Sequence, residues 1–186
     1  MDVQTTDRGM ATYERFLNGD DGGITVIIDE YGDRLLRYIN SFVQDENTAE
    51  DLLSETFLKL IVRKPRLRGE SLFKTYLYAI GRNEALRFLR RKRVEIPLEE
   101  WTPAPTDDLH RTVLQRERAA LIHRLLGTLP AAYREVLYLM YFEGLSCREI
   151  AKVLQKNSRQ VTNLLYRGRL ALRAAFEKEG IDYEDL

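Results

Sequence analysis

The sequence predicts an all-α protein, and three observations carry that prediction. Apolar residues recur at intervals of three and four along most of the 186 residues, as in helices that bury one face. Polar pairs spaced three apart, Asn47 with Glu50, Ser146 with Glu149 and Asn157 with Gln160, have the form of capping boxes. In these, the first side chain accepts from a free backbone N–H and the second reaches back. The prolines, Pro65, Pro97, Pro103, Pro105 and Pro130, fall between the periodic stretches, where a missing N–H breaks no helical bond.

Taken in order, a short helix is expected from Ala11 to Leu17, ending at Asn18-Gly19. Asp20 to Gly23 reads as a loop. From Ile24 to Val43, Ile27, Ile28, Tyr31, Leu35, Tyr38, Ile39 and Phe42 make one apolar stripe. Gly32 within it is a candidate kink. Asn47 and Glu50 open a helix that runs to about Val62, with Leu52, Leu53, Phe57, Leu60 and Ile61 for its core. Glu50, Asp51 and Glu55 lie near its N-terminus, where the helix dipole favours negative charge.

Pro65 stops that helix, and Lys64 to Glu70 is a basic loop. Ser71 to Arg93 is a long helix. Its expected buried stripe is Phe73, Tyr76, Leu77 and Ile80, with Lys74, Thr75, Tyr78 and Arg82 facing away. Exposed aromatics among cations suit single-stranded DNA, where bases stack on rings and phosphates meet positive charge. Val94 to His110 is acidic, carries three of the prolines and has no sustained period, so it reads as an extended linker. Trp101 lies within it. Helices resume near Asp107 and run to about Leu126. Leu129-Pro130 punctuates, and a further helix from Ala131 to Phe142 buries Val136, Leu137 and Met140.

Gly144 to Arg173 has the form of two short helices joined at Gln155-Lys156-Asn157. On the second helix Val161, Leu164, Leu165, Gly168 and Leu172 share one side. Arg159, Asn163 and Tyr166 lie opposite, with Arg167 at their flank. Arg pairs with a guanine edge and Asn with an adenine edge, so this pattern points to a DNA-binding helix-turn-helix. Between Gly144 and Phe176 the only acid is Glu149, against Arg148, Lys152, Lys156, Arg159, Arg167, Arg169 and Arg173. That excess suits phosphates.

Lysine plus arginine and aspartate plus glutamate balance at 29 each, for a net charge of zero. The balance is a sum of segregated blocks. Met1 to Phe57 is acidic, Leu58 to Arg93 strongly basic, Val94 to His110 acidic, the helix-turn-helix basic and the C-terminal tail acidic. Acidic faces suggest a protein partner and basic faces DNA. No apolar run is long enough for a membrane span and MDVQTTDRGM has no signal core, so a cytoplasmic protein is expected. The lone Cys147 excludes an internal disulfide and reads as a passive helix residue. His110 and His123 form no metal-ligand spacing with the acids, and no P-loop is present. Neither an enzyme nor a cofactor is expected.

Three segments then resemble one family in the expected order. NTAEDLLSETFLKL resembles the polymerase-docking helix of bacterial extracytoplasmic-function (ECF) sigma factors. LRGESLFKTYLYAIGRNEALRFLRR resembles the segment that melts and reads the −10 element. LPAAYREVLYLMYFEGLSCREIAKVL with the helix after it resembles the domain that reads the −35 element. The resemblance implies a promoter-specificity subunit with a region 2 domain at 10–93, a linker at 94–110 and a region 4 domain at 111–178. It implies that Glu50, Asp51, Leu53 and Glu55 face the clamp coiled coil of the polymerase largest subunit. The flap of the second subunit would be a further contact.

By the same resemblance, Arg68, Gly69, Glu70 and Ser71 form a loop that captures a flipped −10 base. Lys74, Tyr76, Tyr78, Arg82 and Asn83 line the path of the melted strand. Arg159, Gln160, Asn163, Tyr166 and Arg167 approach the −35 duplex. Arg167 and Asn163 are expected to read bases, Lys152 and Lys156 to hold phosphates, with Arg159 the competing reader. An anti-sigma factor is an expected partner. Ser54 departs from the family's usual glutamine, Tyr76 from its tryptophan, and Arg159 to Leu164 from its usual recognition sequence. The alternative reading is a free-standing helix-turn-helix regulator, which has no need of an acidic docking helix or an aromatic, basic melting helix.

Overall fold

The computed structural model describes residues 8–67, 72–95, 121–122 and 124–180. Regular structure among these residues is α-helical throughout. The chain divides into two compact units, one built on the helices before residue 96 and one on those after residue 120.

In the first unit, α1 (Arg8–Leu17) and α2 (Gly22–Val43) meet at a tight turn. Gly19 takes φ +96°, a left-handed conformation that glycine adopts without strain. The Gly22 N–H donates to Asp20 Oδ1 at 3.0 Å, so α2 begins inside the expected loop. A Cβ on Gly23 would lie 2.9 Å from the Thr12 carbonyl oxygen; the two backbones touch there. The helix continues through Gly32, which is buried. Ile28, expected in the buried stripe, is exposed, while Ile27, Leu35, Tyr38 and Ile39 are fully buried.

Helix α3 (Glu46–Arg63) starts earlier than its sequence suggests. Asp45 is the N-cap, accepting from the Thr48 backbone N–H at 2.8 Å. The expected cap, Asn47, already lies inside the helix: a carboxylate two residues earlier reaches the free N–H groups first. Hydrogen bonds from Thr48 hold the Asp45 carboxyl below the usual carboxylate range. Lys64 ends the helix with φ 40°, and Pro65 follows. The Tyr13 hydroxyl donates to the Pro65 carbonyl at 3.0 Å. Burial, with a smaller contribution from Tyr76, pushes the Tyr13 phenol up to about 12.

Helix α4 (Leu72–Glu95) packs against α1, α2 and α3. A helix with three neighbours buries more than one stripe, and this corrects the expected faces. Thr75 and Tyr78, expected outside, are 3% and 0% exposed, while Tyr76, expected inside, is half-buried. Tyr78 packs on Tyr38 with ring centroids 5.2 Å apart, and Phe73 packs on Tyr13 at 4.9 Å. Val94 and Glu95 are helical rather than linker. The rest of the expected linker, Trp101 included, and the start of the helix expected from Asp107 lie outside the described residues.

In the second unit, α5 is described at 121–122 and 124–128. Leu129-Pro130 separates it from α6 (Ala131–Tyr141), followed by α7 (Cys147–Leu154) and α8 (Ser158–Lys178). Val136, Leu137 and Leu139 of α6 are buried; Met140 is only half-buried. Leu137 rests against Gly168 of α8, where an added Cβ would lie 3.3 Å from the Leu137 side chain. Leu125, Leu126, Tyr138, Leu145, Ile150, Val161, Leu165 and Phe176 complete a mainly aliphatic core.

Candidate nucleic-acid interface

The helix-turn-helix is positioned by short-range bonds that the sequence foretells. At the start of α7 the Ser146 N–H donates to Glu149 Oε2 at 2.7 Å, and the Glu149 N–H donates to Ser146 Oγ at 3.4 Å. At Gln155 the backbone turns left-handed, φ 54°, and the Lys156 N–H closes the turn on the Ala151 carbonyl at 2.9 Å. Asn157 then caps α8 reciprocally. Its Oδ1 accepts from the Gln160 N–H at 2.9 Å, and its own N–H donates to Gln160 Oε1 at 3.0 Å. Cys147 is a free, half-buried thiol at the first position of α7.

Val161, Leu165 and Gly168 of α8 are buried, and Leu164 and Leu172 are half-buried. Arg159, Gln160, Asn163, Tyr166 and Arg167 are all exposed. Helical spacing lines up Arg159, Asn163 and Tyr166 along one strip, with Arg167 beside it. Gln160 is committed to the cap. One residue on this side was not anticipated. Leu170, 51% exposed, extends the strip by one more turn; an exposed leucine out of register with the buried stripe was its signal. Arg169, counted among the cations that suit phosphates, donates to the Tyr141 hydroxyl at 2.7 Å with its guanidinium 5.7 Å from that ring, which ties its cation to α6; nothing local signalled that tie.

On α4, Tyr76 and Asn83 are seven residues apart and therefore share a side; Asn83 is exposed and Tyr76 half-buried. Lys74 and Arg82 are half-buried, and the Lys74 ammonium sits 5.6 Å from the Tyr78 ring centroid. Tyr78 itself is removed from the surface. Arg90, Arg91 and Lys92 are exposed. The loop residues Arg68, Gly69, Glu70 and Ser71 lie outside the described residues.

On α3, Glu50, Asp51 and Glu55 are exposed and Leu53 is half-buried. Asp51 and Glu55 share a side that continues into Leu58 and Val62, 59% and 72% exposed, so that strip is acidic at its start and apolar at its end, while Leu53 lies across the helix from it. Leu58 and Val62 were legible as apolar residues outside the core spacing. Glu55 also accepts from Arg87 of α4 at 2.9 Å. Arg87 in turn bonds Glu84, which is 5% exposed and also paired with Lys59. This network joins residues from two helices, and single-helix periodicity gave no sign of it.

Known proteins carry the same two modules. The chain matches sigma-70 region 2 over residues 27–95 and sigma-70 region 4 over residues 119–172. The RNA polymerase sigma factor SigZ of Bacillus subtilis is 30% identical over 149 residues, which cover 80% of this chain and 84% of SigZ. The ECF RNA polymerase sigma factor SigM of the same organism is 25% identical over 164 residues, 83% of this chain and 96% of SigM. In fold, the chain is similar to RpoE in its co-crystal structure with the anti-sigma factor NepR from Bartonella quintana. That match has a TM-score of 0.67 at 20% identity and covers 81% of this chain and 94% of RpoE. With both sigma-70 regions matched in one chain, the free-standing regulator is disfavoured, and the chain belongs to the ECF RNA polymerase sigma factors, which bind core polymerase and direct initiation at promoters through the −10 and −35 elements.

Proposed function

We propose that the work of this sigma factor is divided by surface. The α3 strip holds core polymerase, α4 and the loop before it hold the melted −10 strand, and α8 reads the −35 duplex. The observation that carries this reading is the acidic strip of α3 beside a basic, aromatic α4 in one compact unit. Glu50, Asp51 and Glu55 present carboxylates to a basic partner, taken to be the clamp coiled coil of the largest subunit. Leu53, Leu58 and Val62 supply apolar contact. The flap of the second subunit would then meet the second unit. We take residues 10–93 and 111–178 as the two functional domains, with α4 overrunning the first by two residues.

For the −10 strand, Lys74, Tyr76, Arg82 and Asn83 keep the roles that the resemblance implies, and Tyr78 becomes the floor beneath Lys74. Arg68, Gly69, Glu70 and Ser71 remain the proposed base-capturing loop. On α8, Arg159 and Asn163 occupy the strip nearest the helix N-terminus, the end from which recognition helices contact base edges. We therefore give Arg159 the first reading role and Arg167 a flanking one; Gln160 and Tyr166 line the same approach. Lys152 and Lys156 are placed on phosphates.

We infer no chemistry of its own for the chain, and no cofactor. Among the described residues no helix is long and apolar enough to cross a membrane; a cytoplasmic location follows from the proposed work at DNA. An anti-sigma partner, as RpoE has in its co-crystal, would act by covering these same surfaces. The test is charge reversal on α3. Asp51→Lys with Glu55→Lys is expected to weaken core binding and leave −35 duplex binding unchanged. Unchanged core affinity would sink the docking assignment.

A further inference from the structure

We propose that Arg87 and Glu84, both on the DNA-facing helix α4, are positioning residues for polymerase docking: through them the interior of the first unit sets where the Glu55 carboxylate stands. The proposal rests on the docking role given to Glu55 above. Glu84 is a buried carboxylate with both oxygens engaged, Oε1 by the Lys59 ammonium and Oε2 by Arg87. A buried charge needs partners held close to it, so Arg87 is anchored from the inside. The same guanidinium nitrogen that meets Glu84 also donates to Glu55 Oε2 at 2.9 Å. Lys59, Glu84, Arg87 and Glu55 thus alternate in sign along one path from core to surface.

This arrangement can aid docking rather than block it. Arg87 bonds only Oε2 of Glu55, and a carboxylate accepts at both oxygens, so Oε1 is left for a cation on the partner. Glu55 and Arg87 are about half exposed, at 51% and 40%, so their pairing adds little to folding. Its consequence is order. A long side chain already held in one rotamer loses less entropy when a partner binds it. Neither α3 nor α4 alone contains this device.

The test is a double-mutant cycle on core binding with the full-length chain, using Glu55→Gln, Arg87→Gln and the double variant. Arg87→Gln is expected to weaken core affinity roughly two- to fivefold, the range of one exposed ion pair. In the Glu55→Gln background it should have no further effect. Arg87→Lys, which keeps charge but loses the planar fork, should recover only part of the loss. Binding of the −35 duplex, which does not use this unit, should be unchanged in every variant. If Glu55→Gln weakens core binding and Arg87→Gln adds its effect independently, positioning is overturned and the docking reading survives. If Glu55→Gln alone is silent, the docking role of Glu55 fails and this proposal fails with it. Glu84→Gln supplies a second line: its loss of core affinity must also vanish in the Glu55→Gln background, and an independent loss would count against positioning.

Discussion

The first unit ties together residues far apart in sequence, whereas the second starts α7 and α8 with bonds spanning three residues. Tyr13 reaches the Pro65 carbonyl, and Lys59 and Arg87 converge on the buried Glu84. In the second unit Ser146 with Glu149 and Asn157 with Gln160 suffice to start both helices of the motif. Two of its longer-range polar contacts, Arg124 with Glu179 and Arg169 with Tyr141, are at the exposed surface. The cores differ in the same way. Tyr13, Tyr38, Phe73 and Tyr78 interlock in the first, while the second rests mainly on leucine, isoleucine and valine, with Tyr138 and Phe176 buried among them and Leu137 against Gly168. Helix α8 needs only to be capped and laid on an apolar stripe. A helix packed by three neighbours has its outward face chosen by those neighbours.

The sharpest way to break this comparison is at Tyr78. If it is a core residue, Tyr78→Ala should cost about 3–5 kcal/mol of stability, as for other large aromatic truncations, read by urea unfolding. Tyr78→Phe should leave the −10 preference of the holoenzyme unchanged. A stable Tyr78→Ala that loses only −10 binding would return the residue to the DNA face and erase the contrast between the units.

A smaller effect separates the cations of the second unit. Arg159→Ala should cost about 1–3 kcal/mol at one −35 position and relax specificity there. Lys156→Ala should weaken all sequences alike and reduce the dependence of binding on salt. Selection of −35 sequences with each variant reads both. An unchanged preference in Arg159→Ala, with one altered column in Arg167→Ala, would move the reading role back to Arg167.

The smallest expected effect is a pH dependence at the α3 cap. Hydrogen bonds from Thr48 lower the folded-state pKa of Asp45. The stabilisation is therefore present above the unfolded carboxyl value, near 4, and is lost as pH falls through the lower folded value. Asn is also a good N-cap but does not titrate. Asp45→Asn should unfold with a shallower acid limb and be little changed at neutral pH, as followed by thermal melts from pH 7 to pH 2. Identical limbs in the two proteins would remove Asp45 from the acid response.

Much of this chain is legible before folding, because helix starts and stops are decided within a few residues. The pair Asn157 and Gln160, the interruption at Gln155 to Asn157, the stripe Val161, Leu165 and Gly168, and the exposed Arg159, Asn163 and Tyr166 follow from spacing alone. The acidic start of α3 follows in the same way, although the cap belongs to Asp45 rather than Asn47. What the sequence leaves open is which side of a helix is the inside when several neighbours compete for it. Tyr76 and Tyr78 are the same residue type two positions apart, and only the packing of α4 against α1, α2 and α3 buries one fully and leaves the other half-buried. Ile28 was turned outward and Thr75 inward by the same competition. The path from Lys59 through Glu84 and Arg87 to Glu55 is likewise a tertiary product: a charge on α4 can find its partners on α3 only once apolar burial has brought the two helices side by side.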